Sequence, residues 1–225
     1  SEFFIFFFDS IEIQAANPFQ PHRMKFYETS HLFNSPWDAV TLACWRKYPN
    51  DKTPHVKHVE ILNRRVNPTT GCLETERLIM VAQNVPSLIK RILGTSGESF
   101  ALEFSTVDPQ TQQMSLTTVN LTLNNLIKVI ERIEYRPLLA IPGSKIPQQQ
   151  QQPDLLWQGE QKEQQQLPTE FYQSVQLSAE GLISRFSSIV EEYSLNTFKN
   201  NAIIGKLGFE QVLNAIMLEK QSLPN

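Results

Sequence analysis

The sequence predicts an α+β fold, a curved seven-stranded antiparallel sheet wrapped around a long C-terminal helix. Three observations carry this expectation. Seven segments alternate apolar and polar residues with period 2, short turn-forming stretches join most of them, and the C-terminal part changes to apolar spacings of three and four.

In chain order, residues 1–23 read as an extension outside the fold, of the kind a misassigned start would also produce. The aromatic run Phe3 to Phe8 is too short for a secretory apolar region and follows Glu2 rather than a basic residue. The domain is expected over 24–220, with 221–225 as a tail. Met24 to Phe33 reads as a strand. Ser35-Pro36-Trp37-Asp38 then opens a helix, with Ser35 as N-cap, Pro36 at the first helical position and Asp38 facing the helix dipole. This helix should end near Lys47, before Tyr48-Pro49-Asn50-Asp51. Val56 to Val66 and Leu73 to Gln83 make a hairpin across Asn67-Pro68-Thr69-Thr70-Gly71. Glu98 to Asp108 follows, with Phe100, Leu102 and Phe104 on one face. Next come Gln113 to Leu123, a tight turn at Asn124-Asn125, and Leu126 to Tyr135.

The stretch 138–168 is rich in glutamine and proline, includes Gln148 to Gln152, and is too poor in apolar residues to fold alone. It is expected to be a disordered insertion. Thr169 to Leu177 resumes as the last strand, so the insertion interrupts one domain rather than separating two. From Ser178 to about Leu218 the apolar residues keep helical spacing, which over some forty residues gives roughly 60 Å. Gly181, Gly205 and Gly208 mark points of bending or close approach.

Function is most legible between Thr75 and Gly94. Alternation puts Thr75, Arg77, Ile79 and Val81 on one face, which places a guanidinium in an otherwise apolar row. If that row faces inward, the charge needs an anion. A carboxylate such as Glu60, Glu74 or Glu76 would serve, as would a ligand; an outward-facing row would need neither. Beyond Gln83, Pro86 starts and Gly94 stops a short helix on which Leu88, Ile89, Ile92 and Leu93 form an apolar stripe beside Lys90 and Arg91. Such a segment is either an ordinary packed helix or a cover that meets a membrane. Between Cys44 and Gly94 nine Lys or Arg stand against four acids, a local surplus that suits an anionic ligand or lipid surface, or a solvated basic face.

Other chemistry is not indicated. Net charge is −3, which does not suggest a large nucleic-acid-binding surface. Cys44 and Cys72 are the only cysteines, too few for a disulfide framework or a cysteine metal site. His55 and His58, three apart on an expected strand, point to opposite faces and do not form a metal pair. No phosphate loop or nucleophile elbow is present, so no catalytic residue and no cofactor are expected.

Several segments together resemble the PRELI/Slowmo (Ups) group of mitochondrial intermembrane-space lipid-transfer proteins. They include Phe33-Asn34-Ser35-Pro36-Trp37-Asp38, Trp45-Arg46-Lys47-Tyr48-Pro49-Asn50, Thr75-Glu76-Arg77-Leu78, Val85-Pro86 through Leu93-Gly94, Ser105 to Pro109, and Val190-Glu191-Glu192-Tyr193. Order and spacing agree, and the Trp-Arg-Lys-Tyr-Pro-Asn and Thr-Glu-Arg-Leu-Ile segments look most like the Slowmo-type branch. The resemblance implies a helix-grip (START-like) fold with a tunnel for one phospholipid, phosphatidic acid or phosphatidylserine, carried between the outer and inner mitochondrial membranes. It implies an anionic membrane surface and a small twin Cys-x9-Cys helical-hairpin protein as partners. By position it assigns Lys47, His55 and Arg77 to the headgroup. Val85, Pro86, Leu88, Ile89, Lys90, Arg91, Ile92 and Leu93 fall on its membrane-contacting lid. One departure concerns the closing helix, where Thr197 and Ile204 stand at positions that often hold lysine.

Overall fold

A computed structural model of the chain describes residues 24–82, 87, 90–91, 97–124, 127–138, 167–179 and 187–222. The strands are β1 (Met24–Phe33), β2 (Val56–Val66), β3 (Leu73–Ala82), β4 (Glu98–Asp108), β5 (Gln113–Asn120), β6 (Ile127–Pro137) and β7 (Thr169–Ala179). Beside them, among the described residues, run the helices α1 (Trp37–Arg46) and α2 (Ser187–Ser222). The seven strands form one antiparallel sheet in the order β1-β7-β6-β5-β4-β3-β2, so β1 and β2 are its edges. β1 and β7 pair over their whole registered length, from Met24 with Ser178 to Phe33 with Thr169. The last strand thereby completes the β2-to-β7 meander and also pairs with the first strand.

Alternation decides which face is covered. On β3, Thr75, Arg77, Ile79 and Val81 are buried while their neighbours are only partly so. On β4 the buried set is Ala101, Glu103 and Ser105. Phe100, Leu102 and Phe104 do share a face, but it is the outer one, and Phe104 is 46% exposed. β2 reaches the covered face irregularly. Bulges near Lys57 and Leu62 break its register and leave Val59, Ile61 and Arg64 paired with Ile79, Arg77 and Thr75, all covered-face positions.

The aromatic end of the core joins β1, β6, β7 and both helices. Phe33 packs on Phe209 with ring centroids 5.1 Å apart, and Tyr135 meets Phe171 at 5.3 Å. Trp37 seats α1 here by donating its indole N–H to the Tyr135 carbonyl at 3.2 Å. Phe209, Leu213 and Ile216 bury one stripe of α2 in the same cluster. Beyond them, Glu219 pairs with Arg46 at 2.7 Å and Lys220 with Asp38, fastening the helix end to α1. Gly208 lets α2 approach the loop after α1: a Cβ there would stand 3.2 Å from Lys52 Cβ and from Asn50 Nδ2. The Asn50 amide already donates to the Gly208 carbonyl at 3.0 Å.

Several boundaries differ from expectation. α1 takes Pro36, not Ser35, as its N-cap, with no side-chain capping bond. A proline just before the helix spends no N–H, and Ala39 N–H is met by the Asp38 carboxylate at 2.9 Å. β5 stops at Asn120 because Leu121 N–H and Thr122 N–H both turn to the Phe100 carbonyl. Leu123, rather than an asparagine at 124, takes positive φ there. Gly71 fills the left-handed position of the β2–β3 turn as expected, at φ 73°. β7 runs to Ala179, past the Ser178 from which helical spacing is expected, and α2 is described over Ser187–Ser222. Residues 1–23, and the insertion between 139 and 166, lie outside the described residues.

Candidate functional site

The middle of the covered face is charged. Register aligns Arg77 of β3 with Glu103 of β4, Glu103 with Thr118 of β5, and Thr118 with Glu131 of β6. All four are 3–4% exposed. Lys47 sits at the C-cap of α1 and is buried over the same row. Two basic and two acidic side chains thus share one desolvated space.

Each charge is held by identifiable contacts. Arg77 donates from Nε to Glu103 Oε1 at 2.8 Å and from Nη2 to the same oxygen at 2.5 Å. Its guanidinium lies 4.6 Å from the Trp45 ring centroid. Burial, the largest single influence, acts to lower the Arg77 pKa, but Glu103 together with Cys44 and Tyr48 outweighs it and raises the pKa, so the guanidinium stays charged. Lys47 is pulled below the ordinary lysine range, first by burial and then by Arg77, while Cys44, Glu103 and Glu131 act the other way. Glu131 is pushed up to about 8, chiefly by burial and also by Glu103, against the opposing effects of Gln173 and Lys47. The Gln173 amide N–H donates to the Glu131 carboxylate. The other amide atom, Oε1, and the hydroxyl of Thr29, directly opposite on β1, are both buried and have no hydrogen-bond partner among the described residues.

A cavity of about 420 Å³ reaches this row from the side of β2. Arg77 and Tyr48 stand on its wall, with Leu42, Val59, Ile61 and Leu73 supplying apolar surface. Its volume falls within the range of small-molecule pockets.

The three expected headgroup residues separate into two places. Lys47 and Arg77 are brought together and buried. His55 is not with them: its carbonyl accepts from Ala82 N–H, five residues along β3 from Arg77, or roughly 17 Å of strand. Its Nε2 is buried without a hydrogen-bond partner, and burial together with the Lys57 charge lowers its pKa. Arg77 is not the lone cation in an apolar hollow that its row suggests, and its carboxylate is Glu103 rather than Glu60, Glu74 or Glu76. Those three alternate to the outer face, where Glu74 meets Arg65 at 2.9 Å and Glu60 meets His58 at 3.1 Å. Of the lid, Ser87, Lys90 and Arg91 are helical, with Lys90 half-buried and Arg91 exposed. Val85, Pro86, Leu88, Ile89, Ile92 and Leu93 lie outside the described residues, as do the side chains of Thr197 and Ile204.

Glu103, Glu131 and Gln173 were the residues missed by reading the sequence. The rule that singles out Arg77 would have found the two acids. Glu131 interrupts the row Val129, Ile133, Tyr135, and Glu103 stands in phase with Ala101. Gln173 carries no comparable signal, because an amide in a strand is unremarkable until its neighbour is known.

Comparison with known proteins follows from this geometry. The family model described as the PRELI-like family matches residues 38–151. The chain is 36% identical over 190 residues to Protein UPS2, mitochondrial, of Saccharomyces cerevisiae, covering 84% of this chain and 73% of that protein. The chain belongs to the PRELI-like family. A protein slowmo homolog of Dictyostelium discoideum is 39% identical over 113 residues, covering 50% of this chain and 49% of the homolog. Among solved structures, the Zhui aromatase/cyclase from Streptomyces sp. R1128 aligns at a TM-score of 0.50 with 11% identity. That alignment covers 87% of this chain and 94% of the other, and it speaks to the helix-grip fold alone.

Proposed function

We propose that this PRELI-like protein carries one anionic phospholipid, phosphatidic acid or phosphatidylserine, between the outer and inner mitochondrial membranes. In this role it supplies cardiolipin and phosphatidylethanolamine metabolism from the intermembrane space. The observation that carries the reading is the buried row of Lys47, Arg77, Glu103 and Glu131, of which Arg77 reaches the wall of a partly apolar cavity. Buried ionisable side chains at this density are costly to keep and are not needed to close a core. The partnerless Gln173 Oε1 and Thr29 hydroxyl beside it are further polar capacity that a headgroup would satisfy. The match to a relative named as mitochondrial supports the compartment.

In this mechanism the chain does no covalent chemistry. Lys47 takes the phosphate, while Arg77, held by Glu103 and Trp45, supplies the electrostatic frame around it. Each acyl methylene withdrawn from water contributes about 0.8 kcal/mol, so enclosure of the tails supplies affinity and the charged row supplies selectivity. Lys90 and Arg91 meet the anionic membrane surface when the lid stripe inserts. A small twin Cys-x9-Cys helical-hairpin protein is the expected partner that retains the complex in its compartment.

Native mass spectrometry of the purified protein is expected to show one bound phospholipid, chemically intact after transfer between liposomes. Lys47→Met is expected to slow that transfer about tenfold or more while the fold is kept, since it removes a charge-assisted phosphate contact. Turnover of the lipid would point instead to an enzyme of the same fold, and absence of both bound lipid and transfer would overturn the carrier reading.

A further inference from the structure

The cavity has a second arginine that none of the preceding assignments uses. Arg64 on β2 pairs across the sheet with Thr75, and the bulge near Leu62 puts it on the same, covered side as Val59 and Ile61. Its Nε donates to the Thr75 hydroxyl at 3.2 Å, and its guanidinium lies 4.7 Å from the Trp45 centroid. One indole therefore contacts both Arg64 and Arg77.

The terminal nitrogens of Arg64 carry no hydrogen bond and no carboxylate among the described residues, whereas Arg46, Arg65, Arg77 and Arg136 each hold one. Arg64 is exposed, as is Ile61 beside it, so this edge is the mouth of the cavity and Arg77 is its floor. Nε and the ring contact fix the plane of the guanidinium and leave its outer pair of N–H donors open. That is the geometry of a fork awaiting a phosphate. Behind it, Leu42, Val59, Ile61 and the Trp45 face offer an apolar wall.

We propose that the cavity between α1, β2 and β3 is a binding site for a phosphate group on an apolar stem, with Arg64 as the outward phosphate fork and Trp45 as its support. The proposal deepens the carrier reading and rests on it for the identity of the stem. It makes Arg64, rather than the already paired Arg77, the first cation to meet an incoming headgroup.

The test is calorimetric titration of the purified chain with dihexanoyl phosphatidic acid below its micelle concentration, with inorganic phosphate, and with uncharged dihexanoylglycerol. Phosphatidic acid is expected to bind the wild-type chain at least about tenfold tighter than either fragment, and Arg64→Leu is expected to lose about tenfold for phosphatidic acid but nothing for dihexanoylglycerol. Arg64→Lys should restore only part of the loss, because an ammonium neither forks nor stacks on the indole as a guanidinium does. Circular dichroism confirms that both variants are folded. Equal affinity of Arg64→Leu and wild type for phosphatidic acid would overturn the proposal while liposome transfer left the carrier reading standing. Inorganic phosphate binding as tightly as phosphatidic acid would overturn it in favour of a free-phosphate site. A wild-type chain that binds no phosphatidic acid and transfers no lipid would overturn both.

Discussion

Arg77 and Arg64 lie against the same indole, yet they live in different electrostatic worlds. Arg77 is 3% exposed and has Glu103 on two of its nitrogens, so its charge is committed to the fold. Arg64, at the rim, is oriented by Thr75 and Trp45 but has no carboxylate among the described residues. Water can compensate an exposed cation, whereas a buried one must be compensated by the protein. The difference teaches that the deepest cation in a pocket is not for that reason the one free to bind; availability depends on what else the charge is already holding.

The largest effect should come from breaking the inner pair. Arg77→Met leaves Glu103 buried and unpaired and is expected to cost about 3–5 kcal/mol of unfolding free energy, measured by urea denaturation. Arg77→Met combined with Glu103→Leu should recover most of that loss. If the single and double variants are equally destabilised, the pair is not what compensates Glu103.

The pH dependence of Glu131 is the next handle. Its carboxyl is pushed up to about 8 in the fold against an ordinary value near 4.5, so between those values the folded chain binds the extra proton. Its contribution is therefore fully present below the ordinary value and is lost as pH rises toward 8. Glu131→Gln should gain on wild type by a few kcal/mol between pH 5 and pH 8. The comparison is made variant against wild type at each pH because Lys47, lowered mainly by burial, contributes with the opposite slope. A constant gap across the range would mean that Glu131 titrates normally.

The smallest expected effect is on the rim. Arg64→Met should change stability by less than about 1 kcal/mol, because an exposed ring contact and a single hydroxyl bond are all it gives up. A loss as large as that of Arg77→Met would erase the distinction between the two arginines and make Arg64 a structural residue.

Much of the fold was legible in residues alone. β1, β2 and β4 have the bounds that period-2 alternation assigns, and the Asn67 to Gly71 turn has its glycine where positive φ is required. Errors gathered where one element meets another. β5 ends at Asn120 rather than Leu123, because the Phe100 carbonyl takes the Leu121 and Thr122 N–H groups. At the site, a charge inside an apolar row was readable at Arg77 and equally so at Glu131, but its partner was not. Glu103 lies one strand away in space and 26 residues away in sequence.

What the sequence by itself determined is therefore periodic: which segments are strands, which is the long helix, and that Arg77 falls in phase with buried residues. Period and turn chemistry are local, set by backbone geometry within a few residues. The tertiary structure alone decided that β4 hides Glu103 and shows Phe100 and Phe104, that the bulge near Leu62 sets Arg64 on the cavity side with Ile61, and that His55 stands apart from Lys47. Those outcomes depend on register and on which face the helices cover, and alternation is blind to both because it distinguishes two faces without saying which is inside.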